Sequence, residues 1–283
     1  MADFLHWWQH LPERMDPVIV EIGSFRLQYY GLMYIVAFAI TYGLAAYRLR
    51  REDRFRVNVE QLQGLMTAMI LGLIIGARLG YVLFYNLPYY LDHPLEIILP
   101  FEFSGGIRFT GITGMSYHGG LIGVAIAAFW FNRKNKLNFF HMADLIVPCI
   151  PLGYTFGRVG NFINGELYGR VTTHAIGMYF PFAPGVGRRH PSQLYEAFFE
   201  GIVLFVVLWT LKSRVTTRGA MLAIYLMGYG LVRFFIEYAR QPDAHLGFIL
   251  FSLSMGQLLC LAMMMAGGGL LVYLIKRQPR TES

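Results

Sequence analysis

The chain has 283 residues, 55% of them hydrophobic and only 14% charged, with a formal net charge of +7 and a mean hydropathy of +0.45. A soluble domain of this length has about a quarter of its residues charged, so the composition excludes an ordinary water-soluble enzyme and points to a polytopic membrane protein. The two cysteines, Cys149 and Cys260, lie in apolar runs, which supports neither a disulfide framework nor a metal site.

In chain order, the opening stretch MADFLHWWQHLPERMDP has no basic region leading into an apolar core, so no cleavable signal peptide is expected. Its Trp7, Trp8 and flanking histidines suit a segment lying at a membrane surface. Seven runs near the ~20 residues that cross a bilayer then follow, at roughly 27–47, 62–85, 112–131, 142–159, 194–211, 219–238 and 253–275. Helices are expected in all of them, because lipid cannot satisfy an open backbone and no ~10-residue alternating strands occur. Arg48, Arg50, Arg51, Arg54 and Arg56 follow the first run, and Arg133, Lys134 and Lys136 the third. Lys212, Arg214 and Arg218 follow the fifth, and Lys276, Arg277 and Arg280 the seventh. These are alternate connections plus the C-terminus, so the positive-inside rule places them in the cytoplasm and the N-terminus outside. Topology therefore accounts for the basic charge, and no nucleic-acid partner is implied. The expected architecture is an all-α membrane protein, a bundle of about seven transmembrane helices forming a single domain over residues 1–283. Residues 1–24 form an outer surface segment, and 86–111 and 160–193 form outer loops.

One outer loop runs against the charge rule, since the stretch from 158 to 193 contains Arg158, Arg170, Arg188 and Arg189. Two readings remain open: snorkelling to outer-leaflet phosphates, or holding an anionic substrate group. Counted upward from the cytoplasmic boundary of each span at about 1.5 Å per residue, Tyr30, Arg78, His118, Arg158 and Arg233 fall roughly 21–27 Å up a ~30 Å slab. Ionisable groups at that depth are costly unless paired or hydrated. Singly, each is as well explained by an ion-pair network; a whole layer at one depth favours a site.

The motifs of that layer carry suitable chemistry. In GRVGNFINGELYGR (157–170), glycines allow close backbone approach, and Arg158 offers a planar fork matched to phosphate oxygens. Asn161 and Asn164 can donate to the same oxygens or tie down the loop, and Glu166 can orient an arginine or accept a proton. In GMSYHGGLIG (114–123), His118 is a candidate base or a hydrogen-bonded interface residue. In LVRFFIEYARQPD (231–243), Arg233 and Glu237 share a helical face, with Arg240 three residues on; this is an ion pair that still leaves guanidinium donors for a phosphate. HPSQLYE (190–196) reads as a helix start, with Glu196 suiting the first-turn dipole. The Met-rich CLAMMMAGGG reads as packing. Neither a phosphate-binding Walker loop, HExxH nor GxSxG occurs, and no internal repeat supports a transporter. Charges gathered on one side suit an enzyme that takes a lipid from the outer leaflet. A transporter and a structural scaffold are the rival classes.

GRVGNFINGELYGR resembles the signature of the prolipoprotein diacylglyceryl transferases, enzymes of the bacterial inner membrane. YYGLMY (29–34), GARLGYVLFYN (76–86), GMSYHGGLIG, HPSQLYE and RFFIEYARQPD (233–243) resemble the family's other blocks in the same order, over nearly the whole chain. The resemblance implies seven helices, a periplasmic N-terminus, a cytoplasmic C-terminus and a site near the periplasmic leaflet. It implies transfer of the diacylglyceryl group from phosphatidylglycerol to the lipobox cysteine of a prolipoprotein signal peptide. A thioether forms, glycerol 1-phosphate leaves, and no metal or organic cofactor is needed. Arg158 and Arg233 are then expected to hold the phosphate, with Asn161 and Tyr30 lining the phosphatidylglycerol site. His118 is the candidate base, and Glu166, Glu237, Arg240 and Arg78 are expected in support.

Overall fold

The computed structural model describes residues 2–23, 25–99, 101–102, 108–109, 114–241, 248–250 and 253–277. Its helices, in chain order, are α1 (Ala2–Gln9), α2 (Tyr29–Arg51), α3 (Val59–Tyr85), α4 (Leu87–Asp92), α5 (Tyr117–Lys134), α6 (Phe139–Ile146), α7 (Ile150–Ile163), α8 (Ser192–Tyr195), α9 (Leu204–Leu211), α10 (Ala220–Ile236) and α11 (Met255–Lys276). A 3-10 turn at Val147–Cys149, set by Pro148, joins α6 to α7, and a π-helix at Glu196–Val203 joins α8 to α9. Among the described residues the strands form three two-stranded sheets, β1 (Val18–Ile22) with β2 (Phe25–Gln28), β3 (Phe101–Glu102) with β4 (Arg108–Phe109), and β5 (Phe248–Leu250) with β6 (Leu253–Ser254).

Among the described residues, five helical stretches have the length and apolar composition to cross a membrane: Tyr29–Arg51, Val59–Tyr85, Phe139–Ile163, Ser192–Leu211 and Met255–Lys276. Helices also stand where the other two runs were expected, α10 with 17 residues and α5 with 18. The long helices leave large apolar side chains uncovered, among them Ile75 and Phe84 on α3, Ile126 and Phe129 on α5, and Met265 and Val272 on α11. Faces of that kind need lipid rather than water, and the chain is an all-α membrane protein. Residues 112–113 of the third run, positions 100, 103–107 and 110–111 of the 86–111 loop, and Met1, Ser24, Pro242, Asp243 and Arg280 lie outside the described residues.

The chain divides into two compact units: Met1–Glu21, Arg26–Arg48 and Ala143–Ser283 make the first, and Ile22–Phe25 and Leu49–Met142 the second. In the second unit, α3 starts on a capping box in which Asn58 and Gln61 satisfy each other's backbone amides. Ser116 caps α5, accepting from the Gly119 amide. The two helices then meet backbone to backbone through Gly72, Gly76 and Gly80 on α3 and Gly119 and Gly123 on α5. A β-carbon at Gly76 would stand 2.8 Å from the Gly123 Cα, and one at Gly80 2.8 Å from the Gly119 Cα. Small residues four apart are how membrane helices gain dispersion contact without a hydrophobic drive. Gly76→Leu is therefore expected to lower the thermal midpoint in detergent sharply, because the obstructing atoms are backbone and cannot turn aside. Gly43→Ala, where a β-carbon meets nothing, should leave the midpoint unchanged or raised. An unaltered midpoint for Gly76→Leu would show that the close approach is dispensable.

In the first unit, α10 begins where Gly219, at φ +87°, turns the chain and the Asp144 carboxylate accepts from the Gly219 and Met221 amides at 2.6 and 3.1 Å. Arg48, in the last turn of α2 and fully buried, donates to the Asp144 and Leu145 carbonyls, so this member of the basic cluster is a packing residue. Gly230 lets α10 lie against Cys260 and Met264 of α11. Beyond α7 the connection folds back on a small core of Phe162, Met178 and Phe180, with Trp8, Leu11 and Met15 packed against it. The α1 segment is pinned there, Trp8 donating to the Ile176 carbonyl and Tyr179 N–H to the Gln9 carbonyl.

Candidate active site

The helix turn around Arg158 places Tyr154, Arg158 and Asn161 on one face, since residues three and four apart are neighbours. Arg158 Nε donates to Tyr154 Oη at 2.6 Å and lies 2.7 Å from Glu196 Oε2, while its Nη1 donates to Asn161 Oδ1 at 3.1 Å. The Asn161 amide donates onward to Glu166 Oε1 at 2.7 Å. Glycine at 160 lets α2 settle on α7: a β-carbon there would meet Met33 and the Tyr30 backbone. The Tyr30 backbone thereby packs against Gly160, the residue before Asn161, and the Tyr30 hydroxyl donates to Tyr34.

Facing Arg158 is the π-helix, with Glu196 at 0% and Glu200 at 1% exposure. Gly201 has room only because it lacks a β-carbon, which would overlap Thr155; Thr155 Oγ1 also donates to the Ala197 carbonyl. That close seat holds the wide turn against α7. Most π segments are single turns, and they recur at functional sites; this one is longer, at eight residues. Arg233 of α10 reaches the same Glu196 oxygen, with Nη1 3.2 Å from Oε2, and also lies 3.5 Å from Glu200 and 3.4 Å from Glu237. Arg240 approaches the other oxygen, Oε1, at 3.2 Å. Glu200 accepts from the Tyr154 hydroxyl, and Glu237 accepts from Ser254 Oγ at 3.2 Å. Three arginines and three glutamates thus share one buried cluster centred on Glu196. Mutual pairing offsets the cost of burying these charges. The described contacts of Arg158 and Arg233 engage Nε and Nη1; the Nη2 ends are outside them.

The other arginines of the stretch from 158 to 193 serve the backbone. Arg189 donates to the Gly169 and Pro184 carbonyls, Arg188 to that of Thr173 and Arg170 to that of Arg240. His190 pairs its Nδ1 with the Tyr195 hydroxyl at 3.1 Å. Burial, followed by the neighbouring His174, holds the His190 ring below the usual histidine range.

Of the expected site residues, Arg158, Asn161, Glu166, Arg233, Glu237 and Arg240 are brought into one connected network, with Tyr30 at its edge. Arg78 and His118 belong to the second unit. Arg78 donates to the Ile97, Glu96 and Gly114 carbonyls and lies over the Tyr90 ring, holding the connection between α3 and α5. His118 is exposed in the first turn of α5, edge-on to Tyr117. Sequence reasoning missed the two central carboxylates. Glu196 was assigned to the helix dipole, and Glu200, inside the apolar AFFEGIV, gave no signal beyond being a charge in a span.

A family model described as prolipoprotein diacylglyceryl transferase matches residues 17–273. The chain is similar to the phosphatidylglycerol–prolipoprotein diacylglyceryl transferase of Chlorobaculum tepidum, 54% identical over 283 residues, covering 100% of this chain and 98% of the relative. The same-named protein of Bordetella parapertussis is 46% identical over 94% of this chain and 97% of its own length. That of Treponema denticola is 40% identical over 90% and 91%. With matches of this extent around the cluster just described, the chain belongs to the prolipoprotein diacylglyceryl transferase family.

Proposed function

We propose that the chain transfers the sn-1,2-diacylglyceryl group of phosphatidylglycerol to the lipobox cysteine of a prolipoprotein signal peptide, the first step of lipoprotein maturation. The cysteine sulfur bonds to the glyceryl carbon bearing the phosphodiester, the C–O bond at that carbon breaks, and glycerol 1-phosphate leaves. The thiol proton is balanced on the departing phosphate. The observation that carries this reading is the convergence of Arg158 and Arg233, from α7 and α10, on one oxygen of Glu196. Two guanidiniums fixed side by side, with Nη2 ends uncommitted in the described contacts, suit a phosphate whose negative charge grows as it leaves. Fixed charge placed where charge develops is usually the largest catalytic contribution.

In this account Arg158 and Arg233 hold the phosphate, and Asn161 and Tyr30 line the lipid site. Glu166 orients Asn161, Glu237 orients Arg233, and Arg240 shares Glu196. Arg78 supports the connection that precedes α5. His118 is the base that makes the thiolate, a role its exposure and lack of a hydrogen bond among the described residues support. The protein is a single domain of seven transmembrane helices in the bacterial inner membrane. Its N-terminus and site lie at the periplasmic side and its C-terminus in the cytoplasm. No metal or organic cofactor enters the reaction.

His118→Gln is expected to lower turnover about 10²–10⁴-fold, the usual contribution of a general base. Near-normal turnover would remove the base role. The bond that breaks is tested with phosphatidylglycerol carrying ¹⁸O between the glyceryl carbon and phosphorus. The label is expected in released glycerol phosphate. Label in free diacylglycerol would mean attack at phosphorus and overturn the reaction as written.

A further inference from the structure

Outside the arginine cluster, three buried side-chain oxygens have no donor among the described residues, and two of them, on Asn164 and Gln193, lie near Glu166. Gln193, one turn before Glu196, is at 0% exposure. Its Nε2 donates to the Glu166 carbonyl, which fixes which end of the amide faces that way, and its Oε1 has no hydrogen-bond partner among the described residues. Asn164, capping the end of α7, likewise leaves a buried Oδ1 unpartnered. Buried acceptors left alone are costly and rare. Both belong to the turn that brings Glu166 back onto Asn161. Gly165 at φ +66° and Leu167 at φ +57° reverse the chain, and Ser192 Oγ pins the Leu167 carbonyl at 2.8 Å. A non-glycine residue held in the left-handed region carries strain that recurs at ligand sites. Glu166 joins this turn to the arginine: its backbone carbonyl accepts from Gln193, its carboxylate accepts from Asn161, and Asn161 Oδ1 accepts from Arg158.

We propose that Gln193 Oε1 and Asn164 Oδ1 accept hydrogen bonds from the hydroxyls of the headgroup glycerol, making this end of the site a subsite for a diol-bearing headgroup. The inference rests on the phosphatidylglycerol reading above. A headgroup esterified to a phosphate at Arg158 extends a few bonds from it, and the groups it meets here are acceptors, which a diol satisfies. An ammonium headgroup also donates, but beside Arg158 it meets like charge.

The test compares two lipids with the purified full-length protein and a lipobox peptide. They are phosphatidylglycerol and phosphatidylpropanol, which keeps the phosphodiester and three-carbon headgroup but has no hydroxyl. The wild type is expected to prefer phosphatidylglycerol in kcat/KM by about 10- to 100-fold, since a site built around a substrate hydroxyl rejects its absence. Gln193→Met is expected to bring that ratio within a few-fold of one, chiefly by losing activity on phosphatidylglycerol. Asn164→Ala, at a less buried position, should move the ratio the same way, and supplies the test should Gln193→Met not fold. Equal use of both lipids by the wild type overturns the proposal. So does a ratio that survives substitution, which would make Gln193 a brace for the Glu166 turn alone. Folded protein giving no adduct from either lipid instead overturns the transferase reading, so the two failures are distinguishable.

Discussion

Replacing Arg158 with alanine is expected to lower kcat at saturating phosphatidylglycerol by about 10³-fold, and replacing it with lysine by nearly as much. Nε is taken by Tyr154 and Glu196 and Nη1 by Asn161, and in the function proposed above Nη2 takes a phosphate oxygen. A lysine ammonium restores the charge at one point and cannot span these partners. The cost in stability should be moderate, because Glu196 keeps Arg233 and Arg240 when Arg158 is removed. Turnover and the thermal midpoint, measured on the same purified samples, separate the two effects. A lysine variant much more active than alanine would show that charge alone is required and that the fork geometry is not. Activity intact in both would remove the phosphate role.

The second large effect is expected at Glu196. Its two oxygens receive three arginines, so Glu196→Ala leaves three guanidiniums facing one another in a medium of low dielectric. Breaking a buried pair of this kind costs about 3–5 kcal/mol, enough to deplete folded protein. Glu196→Gln keeps one accepting oxygen but turns an amide donor toward an arginine. It is expected to fold with a lowered midpoint and to lose about 10²-fold in kcat, because Arg158 and Arg233 no longer share a fixed anchor. Adding Arg240→Gln to Glu196→Gln returns the cluster to charge balance, so the midpoint should recover while turnover does not. Recovery of both would mean that Glu196 acts only through stability.

Much of the fold was legible because lipid imposes simple demands. A run of about 20 apolar residues has few alternatives to a helix; among the described residues five of the expected runs match helices long and apolar enough to cross a membrane, and α5 and α10 stand at the other two. The ends moved where caps decide: α3 starts at Val59 because Asn58 and Gln61 form a capping box, a signal weaker than the apolar run that begins after it. The arginines of the site were legible because burying them in lipid needs a reason. Their partners were not. Glu196 lies in a motif that reads equally well as a helix start, and the register that turns it and Glu200 toward Arg158 comes from the π-helix seated on Thr155, which no local pattern announces. The depth argument placed Tyr30, Arg78, His118, Arg158 and Arg233 in one layer; Tyr30, Arg158 and Arg233 belong to the first unit, Arg78 and His118 to the second. The same argument said nothing of Arg78's actual partners, which are backbone carbonyls of a connection with no periodicity to read.

The central claim is tested most directly by incubating purified protein with phosphatidylglycerol and a synthetic lipobox peptide, and weighing the peptide by mass spectrometry. The account predicts one diacylglyceryl group added to the cysteine peptide, none added to a Cys→Ser peptide, and the adduct lost with the Arg158→Ala protein. Folded wild-type protein that leaves the cysteine peptide unmodified, or an adduct that forms as fast with Arg158→Ala, would contradict it.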